Sequence, residues 1–186
     1  MKELIYITAN EMKFRQAART CEQFGVALQQ GTLDIPEIQA ETGEPVARDK
    51  AAKAFAQLQH PLLVSDDSWM IPGLGGFPGP YMKDVNHWFR VDDWVRLTAP
   101  LTDRRIMLHQ VVVYQDAHKQ KAFAVDIEGE LLLKPRGEKP IFPHTTLVSF
   151  DGGQHSIAEH HEQGNIASLH HRNPWHDFAE WYNSQA

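Results

Sequence analysis

The sequence predicts an α/β fold. Short apolar runs read as buried strands, and they alternate with segments whose apolar residues recur at helical spacing. A 42% hydrophobic share is enough for a sizeable core. Two long strand candidates then follow, joined by a polar turn.

Leu4 to Thr8 forms the first apolar run, and Asn10 with Glu11 carries the signature of a helix N-cap and first turn. Phe14, Ala17, Ala18, Cys21 and Phe24 keep helical spacing until Gly25. Val26 to Leu33 reads as a second strand, Asp34 to Glu37 as a turn, and Pro45 to Leu58 as an alanine-rich helix. Pro61 ends that helix and opens a third strand, Leu62 to Ser65. Beyond the Gly/Pro-rich loop 72–80, Val85, Trp88, Phe89 and Val95 predict one helix over Tyr81 to Leu97. Arg105 to Tyr114 and Lys121 to Leu133 are the long strands. A hairpin is expected around Leu147 to Phe150 with Asp151-Gly152-Gly153, and a last helix from Pro174 to Tyr182. No repeat or linker divides the chain, so residues 1–186 are expected to form one domain.

Composition removes several function classes. A formal net charge of −6 argues against binding a nucleic-acid polymer through its phosphates, though not against a small anionic ligand. The single cysteine, Cys21, forbids an internal disulfide and is expected in the core. The first apolar run is too short for a signal peptide, and none reaches membrane-span length. A soluble, cytoplasmic protein is expected.

Two constellations carry chemistry. In Thr8-Ala9-Asn10-Glu11-Met12-Lys13 a strand runs directly into a helix, whose first backbone N–H groups favour an anion. Thr8, Asn10 and Lys13 supply further donors there. In Asp66-Asp67-Ser68 two carboxylates follow a strand, where oxygen ligands suit Mg²⁺. Glu37, Lys50 and Lys53 gain meaning only if their elements line the same site. The tail holds His155, His160, His161, His170, His171 and His176, but no spacing there matches a zinc site. The sequence has neither G-x-S-x-G nor a Walker phosphate loop.

Taken in order, these segments resemble the inosine-triphosphate pyrophosphatase family, over nearly the whole chain. The family's T-x-N-x-x-K is matched by Thr8 to Lys13, its P-E-I-Q by Pro36 to Gln39, and its A-x-x-K-A by Ala47 to Ala51. Its D-D-S is matched by Asp66 to Ser68. The most specific match is Leu74-Gly75-Gly76-Phe77-Pro78-Gly79-Pro80-Tyr81. Asp103-Arg104-Arg105 and Pro135-Arg136-Gly137 also fit.

The resemblance implies a two-lobed α/β fold with a long mixed central sheet flanked by helices, a cleft between the lobes, and a homodimer. It implies Mg²⁺-dependent hydrolysis of a nonstandard nucleoside triphosphate to the monophosphate and pyrophosphate. By position, Thr8, Asn10, Lys13 and Lys50 would hold phosphates. Glu37, Asp67 and, in support, Asp66 would serve the metal, and Asp67 would handle the attacking water. Ser68, His171 and Arg172 would contact substrate. The chain departs from the family where Phe-Gly-Tyr-Asp is expected before Pro-Ile-Phe: it reads Arg136-Gly137-Glu138-Lys139. An aromatic wall is lost there and a charge reversed, which points to a rebuilt base pocket. The alternative is a catalytically silent nucleotide-binding protein on the same fold.

Overall fold

The computed structural model describes residues 4–164 and 173–185. It is an α/β structure with a seven-stranded mixed sheet flanked by helices. The strands are β1 (Leu4–Ile7), β2 (Leu28–Gly31), β3 (Leu62–Met70), β4 (Pro78–Gly79), β5 (Arg105–Gln115), β6 (Gln120–Leu131) and β7 (Val148–Ser149). The helices are α1 (Glu11–Glu22), α2 (Gly43–Leu58), α3 (Met82–Trp88), α4 (Val91–Thr98), α5 (Ile157–Glu162) and α6 (Pro174–Asn183). The sheet order is β2-β1-β3-β5-β6-β7, with β4 paired to β3. β1 runs parallel to both β2 and β3, as helical crossovers require. β4 and β7 pair antiparallel to β3 and β6.

The chain divides into two compact units. The first comprises Met1–Asp67, Gln110–Val125 and Arg172–Ala186; the second comprises Ser68–His109 and Asp126–His171. Strands β3, β5 and β6 each begin in one unit and end in the other.

In the first unit the period-2 alternation of strands sorts the core into two faces. Leu63 and Val112 join Leu4, Tyr6, Ala17 and Cys21, with Trp175 and Phe178 of α6. Leu62, Val64, Val111 and Val113 face the other way, against Ala47, Ala51 and Ala54 of α2. These alanines let the helix approach the sheet closely. Cys21 is fully buried, and burial pushes its thiol up to about 12, so it is an inert core residue. In the second unit Ile71, Met82, Val85, Trp94, Ile106, Leu131, Leu147 and Val148 form the core. Among the described residues no helix is long and apolar enough to cross a membrane.

Several boundaries differ from expectation for local reasons. The predicted helix 81–97 is two helices. Phe89 takes an extended conformation, and Asp93 accepts the Arg90 N–H, restarting the chain as α4. The third strand does not stop at Ser65 but continues to Met70, because Trp69 and Met70 pair with β4. The expected hairpin after Leu147 is only the two-residue β7. A capping box then starts α5: Ser156 accepts the Glu159 N–H, and Glu159 accepts that of Ser156.

Candidate active site

The turn from β1 into α1 is built by its own side chains. Asn10 caps the helix, accepting the Lys13 N–H at 3.1 Å, while Thr8 Oγ1 accepts the Asn10 N–H at 3.1 Å. The cap fixes the first turn and so the root of Lys13. Its ammonium lies 3.0 Å from Asp67 Oδ2. Burial works against the Lys13 charge, but Asp67, the Tyr6 hydroxyl and Asp66 outweigh it and hold its pKa above the usual lysine value.

β3 delivers the two acids. Its pairing with β1 covers only Leu62 and Leu63, so Ser65, Asp66 and Asp67 run on past the carboxyl end of β1, beside the turn. Ser65 and Asp67 share a face: the Ser65 hydroxyl meets that of Tyr6, and Asp67 meets Lys13. Asp66 lies on the opposite face, and its Oδ1 accepts the Asp67 N–H at 3.0 Å. Burial, opposed by Lys13 but reinforced by the charges of Asp67 and Glu37, pushes the Asp66 carboxyl up to about 6.

Glu37 sits on the loop after β2, where Lys50 Nζ of α2 donates to its Oε1 at 2.6 Å. Lys53 donates to the Pro36 carbonyl at 3.0 Å, pinning the same loop. Thus α2 brings both lysines to the Pro36–Glu37 segment. Glu37, Asp66 and Asp67 are not gathered within 4.8 Å of one another; lysines hold two of them instead. The donor set nevertheless suits Mg²⁺. All donors are carboxylate oxygens, and a divalent cation would stabilise the Asp66 charge that burial, and to a lesser degree Asp67 and Glu37, disfavours.

Ser68, the next residue, is 1% exposed, and its hydroxyl is buried without a hydrogen-bond partner. His171 and Arg172 lie outside the described residues. In the second unit the Glu138 and Lys139 backbone N–H groups both donate to Glu162 Oε1 of α5, at 2.6 and 2.7 Å. Arg136 is occupied by Glu159 and by the Gly153 and Gln154 carbonyls.

Sequence reasoning missed Gln110. Its Nε2 lies 3.4 Å from Asp67 Oδ1, and its own Oε1 is buried without a partner. With Tyr6, Lys13, Ser65, Asp67 and Trp175 it lines a cavity of about 20 Å³, room for one water. An isolated glutamine in a predicted strand gives no signal of this. Sequence spacing also missed a cluster in the second unit, because it weighed the tail histidines without Asp151. His155 and His160 both meet that carboxylate. His176 instead contacts the Asn173 side chain at the start of α6.

The whole chain is similar to known proteins. The dITP/XTP pyrophosphatase of Methanopyrus kandleri is 26% identical, covering 97% of this chain and 96% of its own. An enzyme of the same name from Methanosarcina mazei is 27% identical, with 98% of each chain covered. Inosine triphosphate pyrophosphatase 2 of Trypanosoma cruzi is 36% identical over 71% of this chain and 67% of its own. A HAM1 protein structure from Coxiella burnetii superposes with a TM-score of 0.79 at 19% identity, covering all of both chains. Residues 4–181 match the model of the Ham1 family, and the chain belongs to that family.

Proposed function

We propose that this protein hydrolyses nonstandard purine nucleoside triphosphates, of the inosine or xanthosine type, to the monophosphate and pyrophosphate with Mg²⁺. The observation that carries the reading is the joining of the Thr8–Lys13 turn to Asp67 through one ion pair, beside a second acid of raised pKa. Relatives that match nearly the whole chain are named dITP/XTP pyrophosphatases.

The residues divide the work as follows. The Thr8 and Asn10 side chains and the N-terminus of α1 receive phosphate oxygens, and Lys13 neutralises their charge. Lys50 does the same from α2. Asp67, aligned by Gln110 once Lys13 has turned to phosphate, accepts the proton of the attacking water. The water oxygen bonds to phosphorus, the α–β anhydride bond breaks, and pyrophosphate leaves. Mg²⁺, held by Asp67 and Glu37 with Asp66 in support, would add charge neutralisation on the phosphates. In this scheme the lysine partners of Asp67 and Glu37 shift to phosphate when substrate arrives. Ser68, His171 and Arg172 complete the substrate contacts, and Glu138 and Lys139 remake the selection of the base.

We also propose a homodimer in the cytoplasm. Trp88, 71% exposed on α3, is the aromatic such an interface would cover, and the free Cys21 suits a reducing compartment. Light scattering of the purified protein tests the dimer.

The activity is tested on a panel of nucleoside triphosphates with Mg²⁺, reading pyrophosphate, beside Asp67→Asn. Turnover of at least one nonstandard purine is expected, falling roughly 10²-fold or more in the variant. Nucleotide binding without release would establish the silent protein instead, and release of orthophosphate another phosphohydrolase.

A further inference from the structure

We propose that Asp151, His155 and His160 form a binding site for a divalent transition metal such as Zn²⁺, separate from the Glu37, Asp66 and Asp67 carboxylates. One ligand atom from each residue lies within 4.8 Å of the other two. His155 Nδ1 and His160 Nε2 each stand 2.9 Å from the same oxygen, Asp151 Oδ2. Two imidazole nitrogens and a carboxylate make a donor set that favours Zn²⁺, Co²⁺, Ni²⁺ or Cu²⁺ over Mg²⁺.

The set is held in place before any ion arrives. Asp151 Oδ1 accepts from the Ser149 hydroxyl at 2.8 Å and from the His155 N–H at 2.9 Å, which turns Oδ2 toward the two rings. His160 is carried by α5, whose capping box fixes its first turn. Ligands to a tetrahedral ion at about 2.0–2.1 Å stand roughly 3.4 Å apart, so the two N–O separations need to open by only about half an ångström. Protons on the ring nitrogens hold the same convergent geometry in metal-free protein. The His155 side chain is 40% exposed, which gives an ion access. Three protein ligands leave the remaining positions to water.

The second shell is incomplete. His160 Nδ1 is buried with no hydrogen-bond partner. In metal-free protein the Asp151 carboxylate, which only accepts, keeps the proton on Nε2; an ion at Nε2 moves it to Nδ1, where no acceptor waits. The same lack of a supporting acceptor sets the expected affinity below that of a fully buttressed site.

The site would clip the segment after β7 to α5. α5 also holds the loop after β6, through Glu159 on Arg136 and Glu162 on the Glu138 and Lys139 N–H groups. An ion here would therefore stiffen that loop. Any effect on base selection rests on the proposed function; the binding itself does not.

The test is calorimetric titration of the chelator-treated full chain with Zn²⁺ in excess Mg²⁺, together with the visible spectrum of the Co²⁺-loaded protein. One equivalent is expected to bind despite Mg²⁺, and Co²⁺ is expected to show low-symmetry bands of mixed nitrogen and oxygen ligation. His155→Gln and His160→Gln should each weaken binding by more than roughly 10-fold, the least that losing even a supporting residue produces. His155→Gln should leave Mg²⁺-dependent pyrophosphate release unchanged. Absence of Zn²⁺ binding would overturn the proposal, as would equal binding by both variants, which would assign the ion to other histidines. Loss of pyrophosphatase activity with Zn²⁺ binding intact would count only against the proposed function.

Discussion

Replacing His144 by glutamine should flatten the protein's loss of stability in mild acid. His144 is 4% exposed in the core of the second unit. Its Nδ1 donates to Asn86 Oδ1 at 3.0 Å, and Trp69, Trp94 and Phe142 surround the ring. None of these neighbours is charged, so nothing compensates an imidazolium, and burial lowers its pKa from 6.5 to about 3. A folded-state pKa below the unfolded value gives stability that is full above the unfolded pKa. It is lost as pH falls, because only the unfolded chain takes up the proton. Between about pH 7.5 and pH 5 this single group should remove about 2 kcal/mol, whatever the folded pKa, provided it stays below about 4. For a chain of this size that is a drop of roughly 4–8 °C in Tm. Urea unfolding of wild type and His144→Gln at both pH values measures it. The amide can still donate to Asn86, and the difference between the two proteins cancels the other titrating groups. The same pH dependence in the variant as in wild type would refute the reasoning, whatever its overall stability.

Two further outcomes follow from the geometry. On the proposed function Lys13 gives phosphate a charge-assisted contact, so in Lys13→Met pyrophosphate release should lose roughly 10- to 150-fold in kcat/KM, equivalent to about 1.5–3 kcal/mol. Steady-state kinetics checks this, and an undiminished kcat/KM would remove Lys13 from the site. Gly129→Ala places a Cβ 2.6 Å from the Ser149 carbonyl oxygen and 2.7 Å from the Phe150 ring. Backbone cannot yield as a flexible side chain does, so the unfolding midpoint in urea should fall by the equivalent of about 3 kcal/mol; an unchanged midpoint would mean that β6 and β7 part easily.

How far the sequence disclosed this protein depends on the range of the interactions involved. The α1 cap was legible because Asn10 acts on the N–H three residues on, and α2 because alanines at helical spacing mark a face pressed against a sheet. Family motifs carried the candidate site residues that neither composition nor periodicity could rank. The break at Phe89 was hidden because the apolar spacing runs through it, and only the Asp93 side chain turning back to Arg90 creates the new start. β3 was read short because its last residues owe their strand form to a partner across the Gly/Pro loop. Gln110 acquires its place beside Asp67 from sheet pairing across more than forty positions, and no local pattern records that.

The weaving of the chain also bears on its synthesis. The core around Tyr6 and Leu63 needs Trp175 and Phe178, which follow every segment of the second unit in the order of translation. As the polypeptide leaves the ribosome, the second unit's hydrophobic residues are therefore all present while one face of the first unit still waits for α6. During that interval Leu4, Tyr6 and Val112 offer an apolar surface to chaperones. Stalled nascent chains ending before Asn173 should be captured by a holdase and released once α6 emerges; equal capture of both lengths would show that α6 is not what closes that surface.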